Sequence, residues 1–132
     1  MLSVEKLANN VSLPDYDRTR LRPRILHIGF GAFHRAHQAV CADRLAREQQ
    51  SDWGYIECGI NLQGNSKLVS NLRQQDCLYT VTEMADSGKT SRAIGVICDT
   101  VDARTDGIEA VIEAMSQPEI AIVSITVTEK GY

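Results

Sequence analysis

A Gly-x-Gly turn between an apolar run and a helical pattern is the feature of this sequence best suited to binding a ligand. The turn is Gly29-Phe30-Gly31, and it follows the apolar run 24–28. Gly29 can adopt a tight turn, and Gly31 lets the backbone approach a pyrophosphate closely. A helix beginning after the turn presents unpaired N–H groups and a partial positive charge to such an anion. The pattern predicts a nucleotide site, with a plain tight turn as the alternative.

Two parts of the usual fingerprint Gly-x-Gly-x-x-Gly are missing from this segment. His34 occupies the position of the third glycine. A dinucleotide site also uses an acidic residue at the end of the second strand to accept a hydrogen bond from the ribose 2′-OH. That strand ends at Ile60-Asn61-Leu62, and Asp52 lies at its opposite end. Asn61 can hydrogen-bond a ribose without repelling a 2′-phosphate. The residues therefore leave NAD and NADP both open.

The elements that position the turn follow the pattern strand, helix, strand. Strand 24–28 leads through the turn into a helix, and Trp53–Ile60 is the second strand. Such a βαβ unit implies parallel strands and a right-handed crossover. Helical spacing places Phe33, Ala36, Val40 and Leu45 on the inner face of the helix, with His34, Arg35, Gln38, Asp43, Arg44 and Arg47 outside.

Later segments continue the alternation. Residues 65–75 are predicted to be a helix with Leu68, Val69 and Leu72 inward, and strands 78–84 and 92–98 form a hairpin around Asp86-Ser87-Gly88. A helix follows, with Asp106 as the capping residue and Glu109 at N3, and its apolar face is Ile108, Val111, Ile112 and Met115. The segment 119–128 is predicted as a parallel strand buried on both faces.

The predicted fold class is therefore α/β, with a Rossmann-like parallel sheet. Residues 1–23 contain Pro14, Pro23 and a charged run, which predicts an irregular leader packed outside the domain. Residues 24–132 form the predicted cofactor-binding domain.

Composition and charge exclude several other functions. The formal net charge is −3, which gives no electrostatic footprint for nucleic acid. The longest apolar stretch, 120–127, is too short to cross a bilayer, and residues 1–10 do not have the pattern of a signal peptide. These features predict a cytoplasmic protein that binds neither nucleic acid nor membranes.

The cysteines and histidines do not have the spacing of a metal site. Cys41, Cys58, Cys77 and Cys98 form no Cys-x-x-Cys pair, which predicts reduced and mostly buried thiols. His34 and His37 lie three residues apart, without a nearby cysteine or carboxylate to complete a ligand set. The histidine pair is therefore interpreted as structural, and no metal is predicted.

Three blocks of the sequence resemble the mannitol dehydrogenase family of long-chain polyol dehydrogenases. They occur in the family's order, over roughly residues 12–132, and are RILHIGFGAFHRAHQA at 24–39, QDCLYTV at 75–81 and AIVSITVTEKGY at 121–132. Within the family, the segments 13–18 and 52–54 are most similar to the hexuronate branch, which comprises fructuronate reductase (D-mannonate oxidoreductase) and its relatives.

The resemblance implies an NAD-dependent hydride transfer between a secondary alcohol of a sugar acid or polyol and its ketone. It also implies a cofactor loop, in which Arg35 supplies the charged contact to the pyrophosphate. The predicted cofactor-binding residues are Ile28, Gly29, Phe30, Gly31, Ala32, Phe33, His34, Arg35 and Asn61. A mannitol or other polyol 2-dehydrogenase is the alternative within the family.

In length, the chain departs from the family. Members continue into a second half of the nucleotide domain and a helical substrate domain, and the general acid/base lysine lies in that later part. The chain is therefore expected to be an N-terminal fragment without that domain, inactive alone and with no catalytic residue assigned. Missing strands would leave an exposed apolar edge, so we expect marginal stability, self-association and weak binding of a whole dinucleotide.

Two hypotheses from other classes accompany this interpretation. A non-catalytic nucleotide-binding module would fold alone into a soluble species with a covered sheet edge. A strand followed by Gly-x-Gly also occurs in S-adenosylmethionine methyltransferases, which usually place an acidic residue two positions before the first glycine. His27 stands at that position here, which counts against a methyltransferase.

Overall fold

The computed structural model describes residues 10–60 and 65–127, which form two β-sheets and four α-helices. A single-turn 3-10 helix at Arg18–Arg20 lies between the first two strands. In chain order the remaining elements are β1 (Val11–Ser12), β2 (Arg22–Ile28), α1 (Ala32–Ala36), α2 (Gln38–Gln49), β3 (Trp53–Gly59), α3 (Asn65–Gln74), β4 (Tyr79–Ala85), β5 (Gly88–Ile94), β6 (Ile97–Asp102), α4 (Ile108–Met115) and β7 (Ile122–Ile125).

The larger sheet has the order β6-β3-β2-β7, and all three pairings are parallel. Its two faces are covered by different helices, because successive side chains along a strand point to opposite sides. On one face Tyr55 packs in a cluster with Ala39 and Val40 of α2. On the other face Ile56 packs with Val111 of α4. This layered arrangement is the predicted Rossmann-like α/β fold.

The smaller sheet has the order β1-β5-β4. The predicted hairpin is confirmed, since β4 and β5 pair antiparallel up to Ala85 and Gly88. The single strand predicted at 92–98 is wrong, because the chain leaves β5 and enters β6 of the other sheet at Gly95-Val96. A side chain at Gly95 would meet Pro14 Cγ at 2.8 Å and the Tyr16 hydroxyl at 2.9 Å, so the crossing needs glycine.

The helix predicted after the glycine turn is broken in two. His37, with φ −126° and ψ −74°, separates α1 from α2. The predicted inner face is also partly wrong, since Phe33 and Leu45 are 58% and 44% exposed while His34 and Asp43 are fully buried. Both buried polar side chains have hydrogen-bond partners far away in the sequence, so the apolar periodicity of the helix does not reveal their burial.

The two remaining helices match their predicted positions, with two corrections in α4. In α3, Val69 and Leu72 are buried as predicted. In α4 the capping residue is Gly107 instead of Asp106, and Ile108, Ile112 and Met115 of the predicted apolar face are exposed. Asp106 instead accepts hydrogen bonds from the Asp102 N–H and from the Arg73 guanidinium.

Strand β7 is an edge strand of the larger sheet among the described residues. Ile122, Val123 and Ile125 are all exposed, so the prediction of a strand covered on both faces is wrong. The strand agrees instead with the expectation of an exposed apolar edge. Sheet edges of this kind invite pairing with another chain.

Residues 10–21 pack against the domain through a polar network. The Tyr16 hydroxyl donates to Asp43 Oδ1 at 2.5 Å, and the Arg47 Nε–H donates to Asp43 Oδ2 at 2.6 Å. Burial and the Asp43 carboxylate raise the pKa of Tyr16. Strand β2 begins at Arg22, so the boundary predicted after residue 23 falls inside a strand.

The four cysteines are free thiols with different environments. Cys58 is buried, Cys77 and Cys98 are half-buried, and Cys41 is exposed, which corrects the expectation for Cys41. Burial raises the pKa of the Cys58, Cys77 and Cys98 thiols to about 11. None of the helices in 10–60 and 65–127 is both long and apolar enough to span a membrane.

Candidate functional site

The glycine turn lies where the order of the strands reverses. Strand β2 has β3 on one side and β7 on the other, while the chain runs from β2 first to β3 and much later to β7. Ligands of open α/β sheets bind in the crevice outside the carboxyl ends of the strands at such a point. Gly29 directly follows the carboxyl end of β2, and therefore the turn borders that crevice.

Gly29 is needed for the backbone conformation of the turn. Its φ is +105°, which side-chain-bearing residues rarely adopt. The Gly29 N–H donates to the Cys58 carbonyl at 3.0 Å, and the Gly31 N–H donates to the Gly29 carbonyl at 2.7 Å. The first bond fixes the turn to the end of the neighbouring strand β3, and the second closes the turn itself.

Gly31 leaves space at the start of α1 for another reason. Its φ is −85°, which any residue can adopt, and a Cβ at this position would meet nothing within 4 Å. The Gly31 carbonyl accepts a hydrogen bond from the Arg35 N–H at 3.1 Å. The missing side chain therefore opens the approach to the backbone, as close contact with a pyrophosphate requires.

Arg35 and Phe30 form the side and the floor of the turn. The Arg35 guanidinium carbon lies 5.4 Å from the centre of the Phe30 ring, and Phe30 is buried. The Tyr79 hydroxyl donates to the Arg35 carbonyl at 2.8 Å, and its ring meets Phe30 edge to face. Burial raises the pKa of Tyr79, so the phenol stays a neutral donor. These contacts keep the cationic side chain next to the turn.

The His34 side chain connects α1 to the larger sheet. It is fully buried, with Nε2 2.6 Å from Glu57 Oε1 on β3 and Nδ1 2.7 Å from Gln38 Oε1 on α2. Burial raises the pKa of Glu57, while its hydrogen bond to His34 acts in the opposite direction. Glu57 Oε2 is buried and has no hydrogen-bond partner among the described residues.

His27 connects β2 to β7 in the same layer. Its Nδ1 lies 2.8 Å from the Ser124 hydroxyl, and its Nε2 lies 3.0 Å from the Thr126 hydroxyl. The ring stacks on the His34 ring, with centres 3.8 Å apart. Burial, with a smaller effect of His34, lowers the pKa of His27 to about 4. His27 is therefore neutral at pH 7.

Polar residues that are in register with one another form a row across all four parallel strands of the larger sheet. Glu57 is in register with Thr100 on β6 and with His27 on β2, and His27 is in register with Ser124 on β7. Sequence analysis overlooked Glu57. A carboxylate inside the otherwise apolar β3 was the available signal, since such a group is rarely buried without a partner.

The structure brings most of the predicted cofactor-binding residues together at the crevice. Ile28 ends β2, and residues 29–35 form the turn and most of α1, in which Ala32 and Phe33 are exposed. Asn61 lies outside the described residues. Within 10–60 and 65–127, histidine, cysteine and acidic side chains form no group of three that could hold a metal.

Comparison with known proteins assigns the family. Residues 23–132 match the family described as the mannitol dehydrogenase Rossmann domain. This chain belongs to that family. The match covers most of the chain, so it confirms both the predicted resemblance and the predicted nucleotide-binding fold.

Individual relatives agree with the family match. The chain is 53% identical over 126 residues to the uncharacterized oxidoreductase YdfI of Escherichia coli, covering 96% of this chain and 26% of the relative. It is 45% identical over 124 residues to the D-mannonate oxidoreductase of the same organism, covering 92% and 25%.

A solved structure of the family has the same fold. The Pseudomonas fluorescens mannitol 2-dehydrogenase, in a ternary complex with NAD and D-mannitol, superposes with a TM-score of 0.87 at 39% identity. The superposition covers 97% of this chain and 26% of that protein. The chain thus spans about a quarter of the length of the relatives it matches.

Proposed function

We propose that this chain supplies the cofactor-binding part of an oxidoreductase that transfers hydride between a nicotinamide dinucleotide and a hexuronate, in a reaction of the fructuronate-to-mannonate type. The observation that carries the proposal is the Gly29–Gly31 turn at the strand-order reversal of a mannitol dehydrogenase Rossmann domain. NAD is the proposed cofactor, and NADP stays open because the proposed ribose contact, Asn61, carries no charge.

Each residue of the turn has a proposed role. The backbone of Gly29 and Gly31 receives the pyrophosphate, and the Arg35 guanidinium supplies the positive charge beside it. Ile28 and Phe30 hold the base of the turn. The exposed Phe33 and Ala32 face the space that the rest of the dinucleotide needs.

The hexuronate substrate is supported by the D-mannonate oxidoreductase among the relatives and by the segments 13–18 and 52–54. A mannitol or other polyol is the alternative, supported by the likeness to mannitol 2-dehydrogenase. In the resemblance, the catalytic lysine belongs to a region beyond the matched domain. We therefore expect the 132-residue chain alone to bind cofactor weakly and to turn over neither substrate. The proposal places the protein in the cytoplasm, with no nucleic-acid or membrane partner.

Cofactor binding is tested by titrating the chain with NADH and NADPH, using nucleotide fluorescence and the amide NMR signals of Gly29 and Gly31. We expect saturable binding that shifts these amide signals. Gly31→Trp fills an open space without backbone strain, so it is expected to abolish binding and leave the fold intact. Lys89→Trp, on the exposed β4–β5 hairpin, is the matched control and keeps the affinity of the unmodified chain.

A chain that binds neither nucleotide, or that binds equally well after Gly31→Trp, would contradict the proposed site. The substrate is tested separately with the protein purified at the length at which cells produce it. Its oxidation of NADH is followed with D-fructuronate and with D-fructose. Turnover of D-fructuronate alone supports the hexuronate proposal. Turnover of D-fructose alone supports the polyol alternative.

A further inference from the structure

The residue in place of the third fingerprint glycine makes more contacts with the sheet than a glycine can. In the usual fingerprint, the third glycine allows the helix to pack closely on the strand. Here the His34 imidazole occupies that interface and is fully buried. Its two nitrogens reach Glu57 on β3 and Gln38 on α2. The hydrogen-bonded His34 side chain, called the wedge below, thus replaces close packing of the helix on the strand.

The wedge determines where the turn lies. His34 is the third residue of α1, and Gly31 is the residue before that helix begins. The 2.6 Å contact between His34 Nε2 and Glu57 Oε1 therefore ties the exit of the turn to β3. The entrance of the turn is tied to the same strand, because the Gly29 N–H bonds to the Cys58 carbonyl. Adjacent residues of β3 hold both ends of the turn.

The same wedge also touches the opposite wall of the crevice. The His34 ring stacks on His27 at 3.8 Å, and His27 bonds to the Ser124 and Thr126 hydroxyls of β7 and the residues after it. Thr126 lies beside Gly29, where an added Cβ would meet its carbonyl at 3.8 Å. A shift of His34 would therefore be transmitted to both strands that border the crevice.

Burying these polar side chains costs folding stability, which indicates that the network serves to hold the turn in position. Glu57 is fully buried, and its Oε2 atom has no hydrogen-bond partner among the described residues. A half-satisfied buried carboxylate stabilises a fold less than a well-packed apolar side chain does. An apolar residue would fill the same space but would leave His34 Nε2 without its hydrogen-bond partner on β3.

We propose that His34, held by Glu57, is a positioning residue of the dinucleotide site and fixes the Gly29–Gly31 turn in the conformation that receives the pyrophosphate. This inference rests on the proposed function. Neither side chain touches the cofactor in this proposal, since both are fully buried. Each acts through the backbone of the turn.

The test compares NADH dissociation constants of the folded 132-residue chain and its variants, with folding verified by circular dichroism. Glu57→Leu removes the acceptor at similar volume and is expected to weaken binding roughly tenfold. Glu57→Gln keeps an oxygen that can accept a hydrogen bond from His34 Nε2–H, so it is expected to retain the affinity of the unmodified chain. Rescue by glutamine separates a hydrogen-bonding role from mere filling of space.

The control is Val111→Ala, which removes buried volume on the opposite face of the sheet. It lowers stability but leaves the affinity of the folded chain unchanged, whereas a merely structural role of Glu57 would give the same result for Glu57→Leu. Should Glu57→Leu fail to fold, Gln38→Leu replaces it, because Gln38 is exposed and holds the other nitrogen of the His34 ring. Gln38→Leu is expected to weaken binding roughly threefold.

Two negative outcomes have different meanings. If the unmodified chain binds NADH, Gly31→Trp abolishes binding, and the folded Glu57→Leu chain keeps its affinity, the positioning role is overturned while the proposed function stands. The same holds for unchanged affinity in Gln38→Leu if that variant is needed. If the unmodified chain binds neither nucleotide, both proposals are overturned.

Discussion

Acidification from pH 7 to pH 4 should destabilise this protein through His27. The folded ring is fully buried between β7 and His34, which lowers its pKa from 6.5 to about 4. Between these two values the unfolded chain binds a proton that the folded chain does not bind. The free energy of unfolding is therefore highest above pH 6.5, decreases as the pH falls, and levels off near pH 4.

The size of the effect follows from the two pKa values. A pKa lowered from 6.5 to about 4 corresponds to about 3 kcal/mol of unfolding free energy, lost at up to about 1.4 kcal/mol per pH unit. The raised pKa of Glu57 acts with the opposite sign, because its folded form holds a proton above the pH where the unfolded form releases it. A variant of His27 is needed to separate the two.

The assay is urea unfolding, followed by circular dichroism at intervals from pH 7 to pH 4. His27→Gln removes the titrating ring, so its unfolding free energy should depend on pH less steeply than that of the unmodified chain. Ile56→Val is the control: it removes one buried methyl group on the other face, costs about 1 kcal/mol at every pH, and keeps the original slope. Identical slopes for His27→Gln and the unmodified chain would refute the argument.

Three further predictions concern the sheet and its edge. Gly54→Ala places a methyl group against Cys98 Sγ and 3.0 Å from the Val96 carbonyl, so it should cost about 2 kcal/mol in urea unfolding, and adding Cys98→Ala should recover only the part due to the sulfur. Gly29→Ala should cost about 1–3 kcal/mol in the same assay, because φ is +105° there; an unchanged midpoint would contradict the strain. Ile125→Lys, on the exposed edge strand β7, should reduce self-association in sedimentation velocity without lowering stability, and persistent association would locate the contact elsewhere.

The sequence predicts the glycine turn and the β4–β5 hairpin of this protein well because their signals are local. The apolar run that ends at Gly29 and the Asp86-Ser87-Gly88 turn are each contained within a few residues, and both appear where expected. The positive φ of Gly29 is likewise readable, since only glycine adopts it easily. The family blocks extend this local information to the identity of the fold.

Helix faces were harder to predict, because their burial depends on distant partners. Asp43 is buried by Tyr16, 27 residues earlier, and His34 by Glu57, 23 residues later. A polar residue on a helix normally faces the solvent, so the sequence pattern predicts both side chains on the outer face. The exposed Phe33 and Leu45 show the converse, since apolar periodicity alone cannot locate the neighbour that would cover them.

The contacts of Asp43 also determine where this domain can be joined to another protein without losing them. Asp43 is fully buried and accepts hydrogen bonds from Tyr16, from Arg47 and from the Gly95 N–H, and Arg47 also donates to the Leu13 carbonyl at 2.7 Å. The match to the mannitol dehydrogenase Rossmann domain begins at residue 23, after Leu13 and Tyr16. A gene fusion joined at residue 23 would keep the buried Asp43 carboxylate but lose the Tyr16 phenol that donates a hydrogen bond to it. A fusion that keeps both contacts therefore has to be joined upstream of Leu13.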